Sequence, residues 1–283
     1  MQIFLTDEDE IKKEDVNQEK YIIEIQNKET YHHLVDVLRI KKEDNISVIT
    51  KEKKRINGKI YSVKKESINI IGKEVKEKTE EDDLIKFKYI LLQGIPKARK
   101  LELICEKTTE IGIDKIIPLE MTRSIVRKKD LKENKIERLN SILKSAAEQS
   151  KRKDIPVLEK PKTIDEIIDL LDKESEKDII IEKHILIFYE NEDKNSLKNV
   201  LKNINNKKEN LIKNKNQNQS KKIEMQIYIL IGPEGGITED ELEKINRLKN
   251  VEVVSLGENI LRTETAPISA LSIIKYELEN DLK

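Results

Sequence analysis

IGPEGG at 231–236 and SLGENILRTETAP at 255–267 are the most informative stretches of this chain. Four of its eight glycines, Gly232, Gly235, Gly236 and Gly257, fall in them, and each stretch follows an apolar, β-branched run. Glycine is costly inside regular structure and useful where backbone turns sharply or comes close to a ligand. The two stretches therefore read as loops at the ends of neighbouring strands, building a pocket largely from main chain. Thr238, Glu239, Asp240 and Glu241 form a capping-box pattern, so the first loop runs into a helix. It lacks the Lys-Ser/Thr pair of a P-loop and the spacing of a dinucleotide fingerprint, which argues against a nucleotide triphosphate site. In the second stretch Pro267 has no N–H to donate and fits only the first turn of a helix, so the helix through Ala270, Ile273, Ile274 and Leu278 must begin close to Thr265. Arg262, Glu264 and Thr265 then stand at a loop-to-helix junction beside the pocket, either as functional groups or as a cap with a surface ion pair.

Working outward, FKYILLQ at 87–93, IIPL at 116–119, HILIFYE at 184–190, MQIYILIG at 225–232 and VEVVSLG at 251–257 read as buried strands. Helical patterns alternate with them. Leu101, Ile104, Cys105, Thr108 and Ile111 share one face ahead of a C-cap Gly112, and Ile136, Leu139, Leu143, Ala146 and Ala147 share another. Such alternation predicts an α/β domain with a parallel sheet covered on both faces. Residues 1–75 differ: YIIEI at 21–25, ISVIT at 46–50, INGKIYSV at 56–63 and SINIIGKEV at 67–75 predict a small antiparallel barrel, interrupted by a helical HHLVDVLR at 32–39. The polar 76–84 reads as a linker, giving domains at 1–75 and 85–283. The Asn- and Lys-rich 191–222 reads as a disordered insertion without catalytic content.

Lys plus Arg and Asp plus Glu both number 55, so a general polyanion binder is disfavoured. Residues 121–160 nevertheless hold twelve Lys or Arg against six Asp or Glu, a phosphate-contacting face or a solvated helix surface. One cysteine, Cys105, excludes an intrachain disulfide, and no Cys/His cluster has zinc-ligand spacing, so no metal is expected. The acidic N-terminus lacks an apolar h-region, and no apolar run approaches the roughly 20 residues that span a bilayer. A cytoplasmic protein without membrane partners is expected. His32, His33 and His184 lack partners at nucleophile or metal spacing and are read as packing or surface residues.

IGPEGG and SLGENILRTETAP resemble two signature loops of the SPOUT methyltransferases, in particular the ribosomal RNA small subunit methyltransferase E family. The likeness continues through HHLVDVLR at 32–39, KARKLELICEKTTEIGIDKIIPLEMTRS at 97–124 and RLNSILKSAAEQSKRKDIP at 138–156. It implies a PUA-like β-barrel that helps grip RNA, followed by an α/β domain tied in a deep trefoil knot. It further implies a homodimer that transfers the methyl group of S-adenosylmethionine to N3 of one uridine, the position conventionally numbered 1498, in 16S rRNA of the small ribosomal subunit. Carried over, the cofactor would meet Tyr189 and Glu190, then Ile231, Gly232, Pro233, Glu234, Gly235 and Gly236, then Leu256, Gly257, Glu258, Asn259, Ile260 and Leu261. Arg262, Glu264 and Thr265 would lie at the methyl-transfer end. Arg39, Arg123, Arg127, Lys151 and Arg152 are the RNA-contact candidates, each equally readable as a solvated or dimer-interface charge. Two departures stand out: MQIF replaces an N-terminus that commonly carries Arg, and Glu43 replaces the usual Gly. Another SPOUT methyltransferase with a different target, or a ribosome-assembly protein that binds RNA without catalysis, remain the alternatives.

Overall fold

The computed structural model describes residues 1–15, 20–75, 85–172, 179–192, 195–215 and 222–279; the expected linker 76–84 lies outside them. The described chain divides into two compact units, one of residues 1–79 with 147–154, the other of 80–146 with 155–283.

The first unit contains β1 (Gln2–Phe4), β2 (Glu10–Asp15), β3 (Lys20–Ile25), α1 (Lys28–His32), β4 (Asn45–Ile49), β5 (Arg55–Val63) and β6 (Ile68–Glu74). Strand order is β1-β4-β5-β6-β3-β2. Alternate residues point inward, so Ile23, Ile25, Ile46, Val48, Ile56, Ile60, Ile68 and Ile70 form one core with Leu34 from the turn of π-helix, His33–Val37, that continues α1. The expectation of a purely antiparallel barrel is corrected at one edge: β1 runs parallel to β4, with Ile3 opposite Val48. A three-residue strand, Gln2–Phe4, is too short to signal itself by alternation. The segment 147–154 belongs to this unit, since Ala147 packs with Phe4 and Ile49 and the Arg152 carbonyl accepts from Gln2 Nε2 at 2.5 Å.

Glu43 has φ of +74°, in the left-handed region that costs a side chain roughly 1–2 kcal/mol. That explains physically why glycine suits the position. Glu43→Gly is expected to stabilise the first unit by about 0.5–1 kcal/mol, because its exposed pairing with Lys59 at 3.4 Å contributes little. An unchanged or lower urea midpoint would contradict this.

The second unit comprises β7 (Ile85–Gly94), α2 (Lys100–Ile111), β8 (Lys115–Glu120), α3 (Glu133–Gln149, its last residues counted with the first unit), β9 (Val157–Leu158), β10 (Lys162–Thr163), α4 (Ile164–Leu171), β11 (Ile179–Phe188), α5 (Leu197–Lys215), β12 (Lys222–Ile231), α6 (Glu239–Ile245), β13 (Val251–Val254) and α7 (Thr265–Glu279). The sheet runs β10-β8-β7-β12-β11-β13 with β9 beside β8, and every pairing is parallel. Tyr89 and Leu91 face α2, α3, α5 and α7, whereas Ile90 and Leu92 face α4 and α6. This is the doubly covered α/β arrangement that near-continuous apolar strands require. Gly112 ends α2 in the left-handed conformation, its N–H bonding the Thr108 and Thr109 carbonyls.

One expectation is corrected here. The segment 191–222 carries a five-turn helix, α5, whose Leu197, Val200, Leu201 and Ile204 recur at helical spacing and are buried against the sheet. The Asn and Lys residues around them lower the average hydropathy without erasing the stripe, which packs the helix on the sheet. Residues 193–194 and 216–221 of that segment lie outside the described ones. On α7, Ala270, Ile274 and Leu278 are buried and Ile273 is exposed.

Candidate active site

In a parallel sheet all strands end at one edge, and the loops that leave adjacent strands meet there. β12, β11 and β13 are neighbours, so the chain following Phe188, Ile231 and Val254 converges on a cavity of about 410 Å³. Of the residues assigned to cofactor binding, Tyr189, Glu190, Ile231, Gly232, Pro233, Glu234, Gly236, Leu256, Gly257, Glu258, Asn259, Ile260 and Leu261 line it. Gly235 does not; it turns away, its carbonyl accepting from Arg123 Nη1 at 3.0 Å. Arg262 lines the cavity, whereas Glu264 and Thr265 do not.

The glycine loop is fixed from three sides. Gly236 has φ of +76°, and a Cβ there would lie 2.3 Å from Glu190 Oε1. Gly94, at the end of β7, packs so closely that a Cβ would fall 2.4 Å from the Pro233 nitrogen. Beyond the loop, Thr238 caps α6 in a reciprocal box with Glu241, as its spacing predicts. Glu241 also accepts from the Thr122 N–H at 2.7 Å. Burial alone would raise the Glu241 pKa, but these backbone donors outweigh it and hold the carboxyl below its ordinary range.

The third loop is stitched to the second. Thr263 Oγ1 donates to the Gly232 carbonyl at 2.8 Å and accepts from the fully buried Gln93 Nε2 at 3.1 Å. Arg262 is held by its backbone: its carbonyl accepts from the N–H groups of Thr265 and Ala266 at 2.8 and 2.9 Å, opening α7. Among the described residues the Arg262 side chain makes no hydrogen bond or ion pair, so its guanidinium is available to a ligand. The peptide groups of Leu256, Ile260 and Leu261 likewise have no hydrogen-bond partner among the described residues. Ile260 is 82% exposed on the cavity rim. A cleft of this volume, with free peptide donors and acceptors and an uncovered isoleucine, fits a flat heteroaromatic group better than a phosphate.

Lys100, in the first turn of α2, is a cavity residue that sequence patterns did not reveal. Its Nζ lies 3.1 Å from Glu234 Oε1 and 3.2 Å from Glu264 Oε2. Glu264 Oε2 is sealed from solvent and lacks a partner of good hydrogen-bond angle, so its contact with Lys100 is an ion pair rather than an aligned bond. Glu234, then Glu264, raise the Lys100 pKa and keep it cationic. Burial opposes ionisation of Glu234, but its own N–H, that of Lys97 and the Lys100 ammonium hold its carboxyl below the usual range. Glu264 is thus committed to a salt bridge and is poorly placed to take a proton from a substrate.

The RNA-contact candidates divide. Arg39 is exposed with φ of +52°, and Arg123 and Arg127 are exposed while touching the Gly235 and Met121 carbonyls. Lys151 is exposed, whereas Arg152 is largely buried and pairs with Asp154 at 3.1 Å. Of the histidines, His32 pairs with Asp36 on the surface and His33 is exposed. His184 is buried; burial, with Glu182 opposing and Lys207 assisting, brings its pKa from 6.5 down to about 4. Between those values the unfolded chain binds the proton and the folded chain does not, so stability is lost as pH falls. About 2 kcal/mol should disappear between pH 7 and pH 5. His184→Gln should flatten urea midpoints over that interval, and an equally steep dependence in the variant would refute the assignment.

The class of protein follows from two profile matches, an RNA methyltransferase domain joined to a PUA domain. An RNA methyltransferase domain profile matches residues 84–275, and an RNA methyltransferase PUA domain profile matches 25–71. The ribosomal RNA small subunit methyltransferase E of Bacillus subtilis is 32% identical over 252 residues, 89% of each chain. That of Rickettsia conorii is also 32% identical, over 256 residues and again 89% of each. The chain belongs to the ribosomal RNA small subunit methyltransferase E family. In fold it is similar to the crystal structure of the Neisseria gonorrhoeae ribosomal RNA small subunit methyltransferase E bound to S-adenosyl methionine, with a TM-score of 0.67, 22% identity and 97% and 96% of the two chains covered.

Proposed function

We propose that this protein transfers the methyl group of S-adenosylmethionine to N3 of one uridine in 16S rRNA. The observation that carries the reading is the cavity: three main-chain loops with peptide groups that lack partners among the described residues, an exposed Ile260 in its lining, and the Arg262 guanidinium, unpaired among the described residues. Peptide groups of Leu256, Ile260 and Leu261 would hold the adenine, and Glu190 and Glu258 offer acceptors for hydroxyls. When bound, S-adenosylmethionine supplies an electrophilic methyl on a sulfonium sulfur. The chain's part is alignment, which in ideal cases supplies about 7–11 kcal/mol. Uridine N3 carries a proton and attacks only once it leaves, so negative charge spreads onto the uracil oxygens. Arg262 is the cation placed to stabilise that charge. With Glu264 held by Lys100, the proton passes to solvent.

The uridine must be turned out of its stack to reach a pocket of this kind. The C-terminal loops are read as part of a deep trefoil knot, supported by family membership and by the third loop's anchorage through Thr263 to Gly232. A homodimer is supported by Leu103, Ile273 and Tyr276, large apolar side chains exposed on the adjacent α2 and α7. No helix of the described residues is long and apolar enough to cross a membrane, and we place the protein in the cytoplasm with its ribosomal substrate.

The test is methylation of small ribosomal subunits lacking the modification, with labelled S-adenosylmethionine and mass mapping of 16S rRNA. One methyl on the base of one uridine supports the proposal. A methyl on ribose or on another base would identify a different RNA methyltransferase, and no methyl on subunits that the protein binds would leave a binding protein.

A further inference from the structure

We propose that Lys100 is a positioning residue that keeps Arg262 free for the substrate, by engaging the Glu234 and Glu264 carboxylates that would otherwise capture the guanidinium. The inference deepens the methyltransferase reading and rests on it for the role of Arg262. Lys100 and Arg262 are the two cations among the residues that line the cavity, and the carboxylates there are Glu190, Glu234 and Glu258. Glu264 follows Arg262 by two residues. Despite this excess of acid, no carboxylate of the described residues pairs with Arg262, whereas Lys100 holds two, at 3.1 Å to Glu234 Oε1 and 3.2 Å to Glu264 Oε2.

The placement of Lys100 is not one its own helix favours. It is the first residue of α2, where the aligned peptide dipoles disfavour a cation, and the N-cap residue, Arg99, makes no side-chain cap bond. What holds the ammonium there comes from across the fold: Glu234 from the loop after β12, and Glu264 from the junction that opens α7. One side chain thus reaches both loops between which the cofactor is proposed to lie.

The two carboxylates depend on Lys100 unequally. Glu234 Oε1 also accepts from the Lys97 N–H at 3.1 Å, so it keeps a donor without the lysine. The Glu264 side chain is only 14% exposed, and its Oε2 is sealed from solvent with no aligned hydrogen bond. A carboxylate so placed is costly without a counter-ion. With Lys100 gone, Arg262 is the remaining cation of the cavity, and its planar fork of donors suits a carboxylate. That pairing would satisfy Glu264 and withdraw Arg262 from the uracil oxygens. Lys100 therefore acts through Arg262 and needs no contact with the substrate.

The experiment combines single-turnover methylation of small subunits lacking the modification with labelling of the full chain by phenylglyoxal, an arginine-selective reagent, followed at Arg262 by peptide mass. Lys100→Met, which keeps the stem and removes the charge, should slow transfer about tenfold or more, and Lys100→Arg should stay within about fivefold of the parent. In an Arg262→Ala background Lys100→Met should change the rate less than about twofold, because the residue it acts through is gone. Lys100→Met with Glu264→Gln should recover about threefold or more over Lys100→Met alone. Labelling of Arg262 should fall in Lys100→Met and return in that double variant. The proposal is overturned if Lys100→Met slows transfer equally with and without Arg262, the mark of a residue that only holds the loops together, or if Arg262 labels alike in Lys100→Met and the parent. Should the orphaned carboxylate unfold Lys100→Met, the comparison is made in a Glu264→Gln background, where losing Lys100 should cost less than about threefold and a cost of about tenfold overturns the proposal. A parent that transfers no methyl to 16S rRNA defeats the methyltransferase reading, and the labelling alone then decides whether Lys100 keeps Arg262 free.

Discussion

Arg262→Ala is expected to lower kcat about 10²- to 10³-fold while leaving the fold and the affinity for S-adenosylmethionine near normal. The side chain is exposed at the cavity and has no protein partner among the described residues, so removing it orphans nothing. Its carbonyl, not its guanidinium, caps α7, and alanine keeps that bond. The loss should therefore fall on the transition state, where the proposed uridine methylation places charge on the uracil oxygens, and not on cofactor binding. Arg262→Lys should recover part of the rate, since an ammonium retains charge but not the planar pair of donors. Single-turnover kinetics on small subunits measures this. An unchanged kcat with intact folding would remove Arg262 from the chemistry.

Gly94→Ala should weaken S-adenosylmethionine binding by at least about tenfold and destabilise the second unit by about 1–3 kcal/mol. The added methyl would sit 2.4 Å from the Pro233 nitrogen and 2.5 Å from its Cδ, and 2.8 Å from the Gly232 carbonyl carbon. These are backbone and ring atoms that cannot rotate aside, so the whole IGPEGG loop must move. That loop forms one wall of the cavity and carries the Gly232 carbonyl that anchors Thr263. Displacement would thus propagate to the third loop. Calorimetric titration below the unfolding transition checks the affinity. Parental affinity in a folded variant would show that the contact between β7 and the loop does not shape the site.

What could be read from the sequence follows from locality. Gly112 as the cap of α2, the Thr238–Glu241 box and the start of α7 at Thr265 depend on residues a few positions apart, and the structure has them where the spacing requires. The two glycine stretches could be assigned to one pocket because parallel strands deliver their loops to the same edge. Gly94, Gln93 and Lys100 escaped because their roles exist only across the fold. Gln93 meets Thr263 at a separation of 170 residues, and Lys97 meets Glu234 at 137. FKYILLQ at 87–93 reads as an ordinary buried strand, and Gly94 lies just beyond it. Helix α5 was missed for the opposite reason, because the composition of 191–222 obscured four apolar residues that repeat at helical spacing. The ion pair of Glu264 with Lys100, at a separation along the chain that no motif spans, is likewise visible only in the fold.

The central claim is that the cleft between the loops at 231–236 and 255–262 holds S-adenosylmethionine against main chain. A crystal structure of the protein grown with that cofactor tests it most directly. Adenine density is expected bonded to the peptide groups of Leu256, Ile260 and Leu261, with Ile260 against the ring and the sulfonium methyl turned toward Arg262. Adenine density at another surface, or this cleft closed by side chains while the cofactor binds elsewhere, would contradict it.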